Sequence, residues 1–336
     1  MLSRSTRWLS LGRRRLLSVI TASSLTAVLA GITSFPAIAQ NGKPVRLILP
    51  LSAGSGADTI ARAAGPALTK AMGQPVVIEN LPGAGGVTGT AQVTKASPDG
   101  STLGLVSNNH VINPSVYKSM PFDALKDITP ISIIGAVPFV LVVNPKVPAK
   151  NMKELVALMK AKSDGFNMGS SGNGTILHLA GEMFLVEAGV KARHIPYKGT
   201  GPMVTDVLGG QVEMAVVALN AVQPFLKAGS LRAIGLLSDK RSAAAPDIPT
   251  LAEQGLRNFN VEGWIAVIGP AGMKPVEVKR VHDAFASAFR SPEVMEAMEK
   301  QATSVNPSTP EAAAKYFKSE AERYAALVKK ANVTIE

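Results

Sequence analysis

Residues 47–64 read Leu-Ile-Leu-Pro-Leu-Ser-Ala-Gly-Ser-Gly-Ala-Asp-Thr-Ile-Ala-Arg-Ala-Ala. An apolar run ends at Pro50, small residues follow, and a helical pattern begins near Asp58. This order predicts a strand, a tight loop and the first turn of a helix. The first N–H groups of a helix lack intrahelical partners and carry partial positive charge, so a loop without bulky side chains lets an anion approach them. The stretch therefore predicts a site for one end of an anionic small molecule.

Strand-like and helix-like patterns alternate on both sides of this stretch. Strands are predicted over 45–49, 76–79, 102–106, 139–143, 167–170, 193–196, 212–217, 231–237 and 264–269, and helices over 59–71, 87–96, 152–162, 176–188, 201–209, 276–289 and 310–331. The alternation predicts an α/β fold with two lobes, each a doubly wound, mostly parallel sheet flanked by helices. We expect the chain to cross between the lobes within 140–145 and 263–269. Ligands of such sheets bind at the carboxyl ends of strands, so two facing lobes would enclose one.

The N-terminus has the features of a cleavable secretory signal peptide. Five arginines precede an apolar run over 16–32, and Ala37-Ile38-Ala39 fits the cleavage pattern, with Gln40 as the first mature residue. The alternative is an uncleaved membrane anchor, but the run is short and interrupted. Arg13-Arg14 is compatible with twin-arginine export, and the general secretory route is equally open. The sequence therefore predicts a periplasmic protein.

Composition excludes several classes of function. The 336 residues contain no cysteine, which excludes disulfides and thiolate metal sites. Loss of the five leader arginines lowers the net charge from +11 to +6, and no basic run interleaved with aromatic residues is present. We therefore expect no nucleic-acid partner.

Two further loops resemble the first in position and composition. Ser171-Gly172-Asn173-Gly174-Thr175 follows a predicted strand and precedes a predicted helix. Its hydroxyl and N–H groups could donate to a carboxylate, or Ser171 or Thr175 could simply cap the helix. Tyr197-Lys198-Gly199 precedes the helix that carries Asp206. Asp206 could accept a hydrogen bond from a ligand, or it could be a first-turn acid favoured by the helix dipole.

Motifs for cofactors and catalysis are incomplete. Thr59 occupies the position of the third glycine in a dinucleotide fingerprint, and no Walker A sequence occurs. His178 and Glu182 share a helix face, but the second histidine of a zinc motif is missing. No nucleophile, base and orienting residue occur in a recognisable set. We therefore predict no cofactor, no metal site and no enzymatic activity.

Taken together, several ordered motifs resemble one family. They are Pro50–Asp58, Asn80–Gly86, Ala96-Ser97-Pro98-Asp99-Gly100, Asn113-Pro114-Ser115-Val116-Tyr117, Tyr197-Lys198-Gly199, Asp206-Val207-Leu208-Gly209-Gly210 and Pro246-Asp247-Ile248-Pro249-Thr250. The chain resembles the Bug-type extracytoplasmic solute receptors of tripartite tricarboxylate transporters over essentially all of its mature length. The resemblance implies a two-lobed, hinged periplasmic binding protein of type II that holds a small carboxylate between its lobes. It implies lobe 1 over 40–141 and 264–336, lobe 2 over 142–263, and docking on membrane components of such a transporter.

By position, the resemblance assigns the ligand contacts. The first lobe would contribute Gly54, Ser55, Gly56 and Asp58, and the second Ser171, Gly172, Gly174, Thr175, Lys198, Gly199 and Asp206. Ser107 and His110 are weaker candidates near the cleft.

The sequence departs from the family pattern at Leu51, where phenylalanine is usual, and at Ser55, where a second glycine is usual. It departs again at Ala218 and Asn220, which replace polar and proline residues. These departures lie on the ligand side, so the ligand cannot be copied from a relative. Two alternatives to a transport receptor remain open: a periplasmic sensor with a signalling partner, and an enzyme acting on an organic acid.

Overall fold

A computed structural model describes residues 43–162, 165–256 and 260–331. The predicted signal peptide lies outside these residues. None of the helices in the described part combines the length and apolarity that crossing a membrane requires.

The described residues form one ten-stranded sheet with helices packed around it. The strands are β1 (Val45–Leu49), β2 (Val76–Asn80), β3 (Thr102–Ser107), β4 (Ile128–Val143), β5 (Asn167–Ser170), β6 (Arg193–Pro196), β7 (Met214–Ala218), β8 (Arg232–Leu236), β9 (Glu262–Pro270) and β10 (Ser304–Val305). The helices are α1 (Gly56–Met72), α2 (Val87–Thr94), α3 (Asn109–Val116), α4 (Met152–Ala161), α5 (Ile176–Ala188), α6 (Thr200–Gly209), α7 (Leu219–Lys227), α8 (Pro275–Phe289), α9 (Pro292–Lys300) and α10 (Pro310–Ala331).

The sheet has two halves, each built on three parallel strands. In the first half-sheet the order is β2-β1-β3, followed by antiparallel β9 and the first part of β4. In the second half-sheet the parallel strands are β6-β5-β7, and the last part of β4 pairs antiparallel with β7 and β8. Each half-sheet with its helices forms a lobe, which confirms the predicted two-lobed α/β fold.

The two lobes are joined by long strands rather than by loops. β4 pairs with β9 up to Pro138 and with β7 from Phe139 onward. The strand predicted over 139–143 is therefore only the second-lobe end of a 16-residue strand. The first part of β4 escapes sequence analysis because Pro130, Gly135 and Pro138 interrupt its apolar run.

Burial explains why the central strands read as continuous apolar runs. All five residues of β7 are buried, as are Leu47, Ile48 and Leu49 in β1. Parallel strands covered by helices on both faces have no solvent side and hence no alternation of polar and apolar residues. The loops that lead into α1 and α5 directly follow the carboxyl ends of β1 and β5.

Candidate functional site

The loop between β1 and α1 is held by its own side chains. The Ser55 hydroxyl caps α1 by accepting from the N–H of Asp58 at 3.3 Å. The buried Asp58 carboxylate accepts from the Gly54 N–H at 3.0 Å, from Arg62 at 2.9 Å and from Asn80 at 3.0 Å. Burial alone would raise the pKa of Asp58, but these hydrogen bonds outweigh it and hold the pKa below its ordinary value. Asp58 thus shapes the loop from within.

The same helix leaves two backbone donors unused. Among the described residues, the N–H groups of Gly56 and Ala57 have no hydrogen-bond acceptor. They lie at the positive end of a 17-residue helix. They are therefore available to an anion.

The loop between β5 and α5 has the same construction. Thr175 caps α5 by accepting from the His178 N–H at 3.4 Å, and its hydroxyl donates to the Gly172 carbonyl at 2.8 Å. The Ser171 hydroxyl donates to Thr175 at 3.0 Å, and the Gly174 N–H donates to His178 Nδ1 at 3.1 Å. Thr175 is therefore the helix cap, one of the two roles that its sequence position allows.

Two stacked histidines lie beside this second loop. The rings of His178 and His194 are stacked, with centroids 3.8 Å apart and planes 7° apart. His194 Nε2 lies 2.6 Å from the Ser170 hydroxyl, and His178 Nε2 lies 3.6 Å from Glu182. Burial, with a contribution from the charge of His178, lowers the pKa of His194 to about 4. The predicted His178–Glu182 pair is thus present on α5, as part of a larger cluster.

A third loop brings the second lobe against the first. Gly199 has φ of 117°, and a side chain there would overlap Ser52. The Thr200 N–H, the first of α6, donates to the Ser52 hydroxyl at 3.0 Å. Only glycine combines this backbone conformation with so close an approach. Lys198 is exposed beside this contact.

Asp206 lies further along α6 than predicted. It is the seventh residue of that helix, so its interpretation as a first-turn acid is wrong. Its carboxylate accepts from the Tyr197 hydroxyl at 2.7 Å. Burial and the adjacent Asp206 raise the pKa of Tyr197 to about 12. The pair fixes the loop that carries Lys198 and Gly199.

The ends of these elements enclose one cavity of about 60 Å³ between the lobes. Its lining residues are Leu51, Ser55, Gly56, Ala57, Ser107, Asn108, Asn109, Val137, Phe139, Ser171, Ile176, Leu177, Thr200, Ala218, Gly263, Trp264 and Ile265. The N-terminal ends of α1, α3, α5, α6 and α7 all contribute to this lining. No side chain among these lining residues carries a charge. The helix N-termini therefore give the cavity a partial positive charge, and hydroxyl and amide groups make its lining polar.

Three hydrogen bonds close the lobes over this cavity. Besides Ser52 with Thr200, the Asn220 amide donates to the Gly56 carbonyl at 3.0 Å, and Asn109 Oδ1 accepts from the Ile176 N–H at 2.8 Å. A Cβ on Gly56 would lie 2.6 Å from Asn220 Oδ1 and 2.8 Å from the Ala218 Cβ. The structure is thus a closed form in which the first turns of α1 and α5 face one space.

The strands β4 and β9 form the remaining wall. Val137 and Phe139 from β4 and Gly263 and Trp264 from β9 line the cavity. Trp264 is 3% exposed, and its indole N–H donates to Glu320 of α10 at 2.9 Å. This part of the lining is apolar.

A larger groove of about 650 Å³ lies on the opposite face of the same strands. Ala136, Pro138 and Glu262 line it, alternating along the strands with the residues that face the cavity. It also contains Glu296 and Glu299 beside Lys240 and Arg241. Three carboxylates make this groove poorly suited to an anion, so we place the site in the smaller cavity.

The predicted contact residues divide into three groups. Ser55, Gly56, Ser107 and Ser171 line the cavity. The second group lies around the cavity but outside its lining: Gly54, Gly172, Gly174, Thr175, Lys198 and Gly199 in or next to the loops, and Asp58 and Asp206 in helices α1 and α6. His110 is buried beside Phe122 and Phe317, with Nε2 2.6 Å from the Ala124 carbonyl.

Sequence reasoning missed much of the lining. Asn108 and Asn109 begin α3, a helix that sequence analysis did not predict. Thr200 begins α6 one residue before the predicted start. The run of polar residues Ser107-Asn108-Asn109 after a buried strand is the signal that could have identified this edge of the site.

Comparison with known proteins places the whole chain in one group. A family model described as "Tripartite tricarboxylate transporter family receptor" matches residues 60–333. Protein BugT of Bordetella pertussis is 35% identical over 324 residues, covering 96% of this chain and 99% of BugT. The match includes both lobes.

Solved structures agree with this relationship. The periplasmic binding protein BugD shares 32% identity with a TM-score of 0.84, covering 87% of this chain and 99% of BugD. MatC from Rhodopseudomonas palustris, solved with bound malate, shares 26% identity with a TM-score of 0.80, covering 85% of this chain and 98% of MatC. The two-lobed arrangement is therefore shared with solute-binding proteins.

Proposed function

The chain belongs to the tripartite tricarboxylate transporter family of receptors, and from this premise we propose that it captures a small carboxylate between its lobes. The family consists of solute-binding receptors, and its solved relatives include a periplasmic binding protein and a malate complex. The family resemblance seen in the sequence is thus confirmed. The binding of a carboxylate, the delivery to a transporter and the residues that contact the ligand are what we propose.

One observation carries the proposal. Gly56 and Ala57 of α1, whose N–H groups have no acceptor among the described residues, line the same cavity as the first residues of α5, across the cleft. A carboxylate placed there would accept hydrogen bonds from both lobes in a site without charged side chains. Preformed donors in a water-poor cavity form stronger hydrogen bonds than the same donors in water. The ligand would therefore join the lobes as well as bind to them.

We assign the loops around the cavity a supporting role. Gly54, Asp58, Gly172, Gly174, Thr175, Lys198, Gly199 and Asp206 would position the donors or contact the ligand through water. Ser55, Ser107 and Ser171 would contact it directly. His110 would stabilise α3 behind the site.

We place lobe 1 at residues 40–141 and 264–336 and lobe 2 at 142–263. The change of partner strand between Pro138 and Phe139 supports a hinge within a few residues of the first boundary. The start of β9 at Glu262 supports the second. Residues 1–39 would direct export to the periplasm and be removed there.

Family membership supports the partner that we propose. We propose that the closed form docks on the membrane components of a tripartite tricarboxylate-type transporter and releases its ligand to them unchanged. Copurification of tagged protein with those components, in the presence and absence of ligand, tests the partner. Mass spectrometry of the recovered ligand tests that no bond has been made or broken.

Ligand binding is tested by thermal unfolding with a panel of organic acids and their uncharged amides. A ligand present at about 100 times its Kd stabilises a protein by about 2.7 kcal/mol. At least one acid should raise the melting temperature, and its amide should not. The proposal fails if no acid does so, or if an acid and its amide act equally.

A further inference from the structure

The cavity wall opposite the helix ends is apolar. Val137 and Phe139 of β4 and Ile265 of β9 line it, and the lining also includes Trp264, whose register partner is Ala136. Val137 and Gly263 are register partners, so this wall is continuous across the two hinge strands. A ligand that fills the cavity from the helix ends must place its remaining atoms against this surface.

The wall offers no donor for a second carboxylate. The Trp264 indole N–H, its most polar group, is already used by Glu320 at 2.9 Å. Glu320 is itself buried and pairs with Arg323 at 3.1 Å. A second ligand carboxylate at this wall would therefore be desolvated without a partner.

The charged side chains nearest the loops already have hydrogen-bond partners or lie outside the cavity lining. The Asp58 carboxylate is engaged by Gly54, Arg62 and Asn80. Lys198 is exposed and is absent from the lining. The positive character of the cavity is therefore confined to the helix ends.

The closed cavity is also small, at about 60 Å³. Drug-sized ligand pockets occupy roughly 300–1,000 Å³. Because hydrogen bonds from Ser52, Asn109 and Asn220 hold the lobes together, a long ligand could not be enclosed without breaking them. Closure thus selects for a short molecule.

We propose that this receptor is specific for a short monocarboxylate whose uncharged apolar body packs against Val137, Phe139 and Ile265. The inference rests on the proposed function and narrows it. It separates this chain from MatC, whose solved complex contains the dicarboxylate malate.

Two pairs of acids test it: butyrate with succinate, and hexanoate with adipate. Within a pair the chain length is equal, and only a terminal methyl is exchanged for a carboxylate. Binding is measured by calorimetry and by the fluorescence of Trp264, the single tryptophan beyond the leader. The monocarboxylate of at least one pair should bind at least tenfold more tightly than its partner, and butyrate should bind more tightly than hexanoate.

If a dicarboxylate binds as tightly as the monocarboxylate of the same chain length, the inference is wrong and the proposed function is unaffected. The same holds if none of the four acids binds but another acid of the wider panel does. If no acid of the panel binds, the proposed function fails with it.

An isosteric variant tests the wall itself. Val137→Thr replaces a methyl that faces the cavity with a hydroxyl, which can donate to a second carboxylate. The ratio of butyrate to succinate affinity should fall at least threefold, whereas Val77→Thr on an exposed position of β2 should leave it unchanged. An unchanged ratio in Val137→Thr overturns the assignment of this wall.

Discussion

Gly56 is the residue on which closure depends most directly. It begins α1 with a helical backbone that alanine also adopts, yet a Cβ there would meet Asn220 and Ala218 across the cleft. Gly56→Ala should therefore leave the isolated lobes intact and prevent full closure. We expect ligand affinity to fall at least tenfold, about 1.4 kcal/mol, as measured by calorimetry.

Gly65 on the same helix provides the matched control. A Cβ there would make only an ordinary contact with Ile78 at 3.5 Å. Gly65→Ala should preserve affinity and should raise stability slightly, because alanine favours the helix interior. Equal affinity in the two variants would contradict the role given to Gly56.

Buried histidines make stability sensitive to acid. Burial lowers the pKa of His110 from 6.5 to about 4, despite a hydrogen bond to the Ala124 carbonyl. Between pH 6.5 and 4, the unfolded chain therefore binds a proton at this histidine, whereas the native state does not. The contribution of His110 is complete above pH 6.5 and is lost as pH falls through 4, on the order of 3 kcal/mol. His194 acts in the same direction, since its pKa is also lowered to about 4.

Denaturant unfolding across this pH range measures the effect. His110→Gln should reduce the loss of unfolding free energy on acidification relative to the wild type. An unchanged pH dependence in His110→Gln would show that the imidazole titrates equally in both states.

At the scale of elements, sequence patterns predicted the parallel strands and most of their helices, but not the full length of strand β4. β7 is a continuous apolar run and β1 is interrupted only by Arg46, so periodicity and length suffice for them, whereas β5 reads Asn-Met-Gly-Ser and is indicated by the small-residue loop that follows it. Helix α7 contains Pro224 and α3 contains Pro114, so both resemble loops in sequence. The sequence therefore predicted the side of the cavity that is formed by helix ends, because these helices follow predicted strands. It did not predict the opposite wall, because that wall depends on the pairing of β4 with β9, which is a tertiary property.

Helix α10 stabilises that wall from behind. Glu320 accepts from the Trp264 indole at 2.9 Å, and the Tyr324 hydroxyl accepts from Asn108 at 2.7 Å. Glu320→Ala should leave a buried indole N–H unpaired and cost roughly 1–3 kcal/mol of unfolding free energy. Trp264 fluorescence should report the altered surroundings of the ring.

Glu322, exposed on the same helix, is the control for this prediction. Glu322→Ala should change stability by no more than about 0.5 kcal/mol. If Glu320→Ala is as stable as Glu322→Ala, the link between α10 and the hinge contributes nothing.

For the whole molecule, closure depends on few polar contacts and one ligand. Ser52 and Asn220 each contribute one side-chain hydrogen bond across the cleft, to Thr200 and to Gly56. A net value of about 1 kcal/mol for each would shift the balance between closed and open forms by roughly 30-fold when both are lost. Each lobe keeps its own half-sheet and helices, so opening does not require unfolding.

The double variant Ser52→Ala, Asn220→Ala therefore tests closure in solution. Without ligand, small-angle scattering should give a larger radius of gyration than for the wild type, and saturating ligand should remove the difference. Ser304→Ala, which loses two hydrogen bonds with the Ala136 backbone within one half-sheet, should scatter as the wild type does. Identical curves for the double variant and the wild type without ligand would mean that these bonds do not hold the lobes together. Closure would then have to be supplied by a carboxylate between α1 and α5 together with the remaining hydrogen bond between Asn109 and the Ile176 N–H.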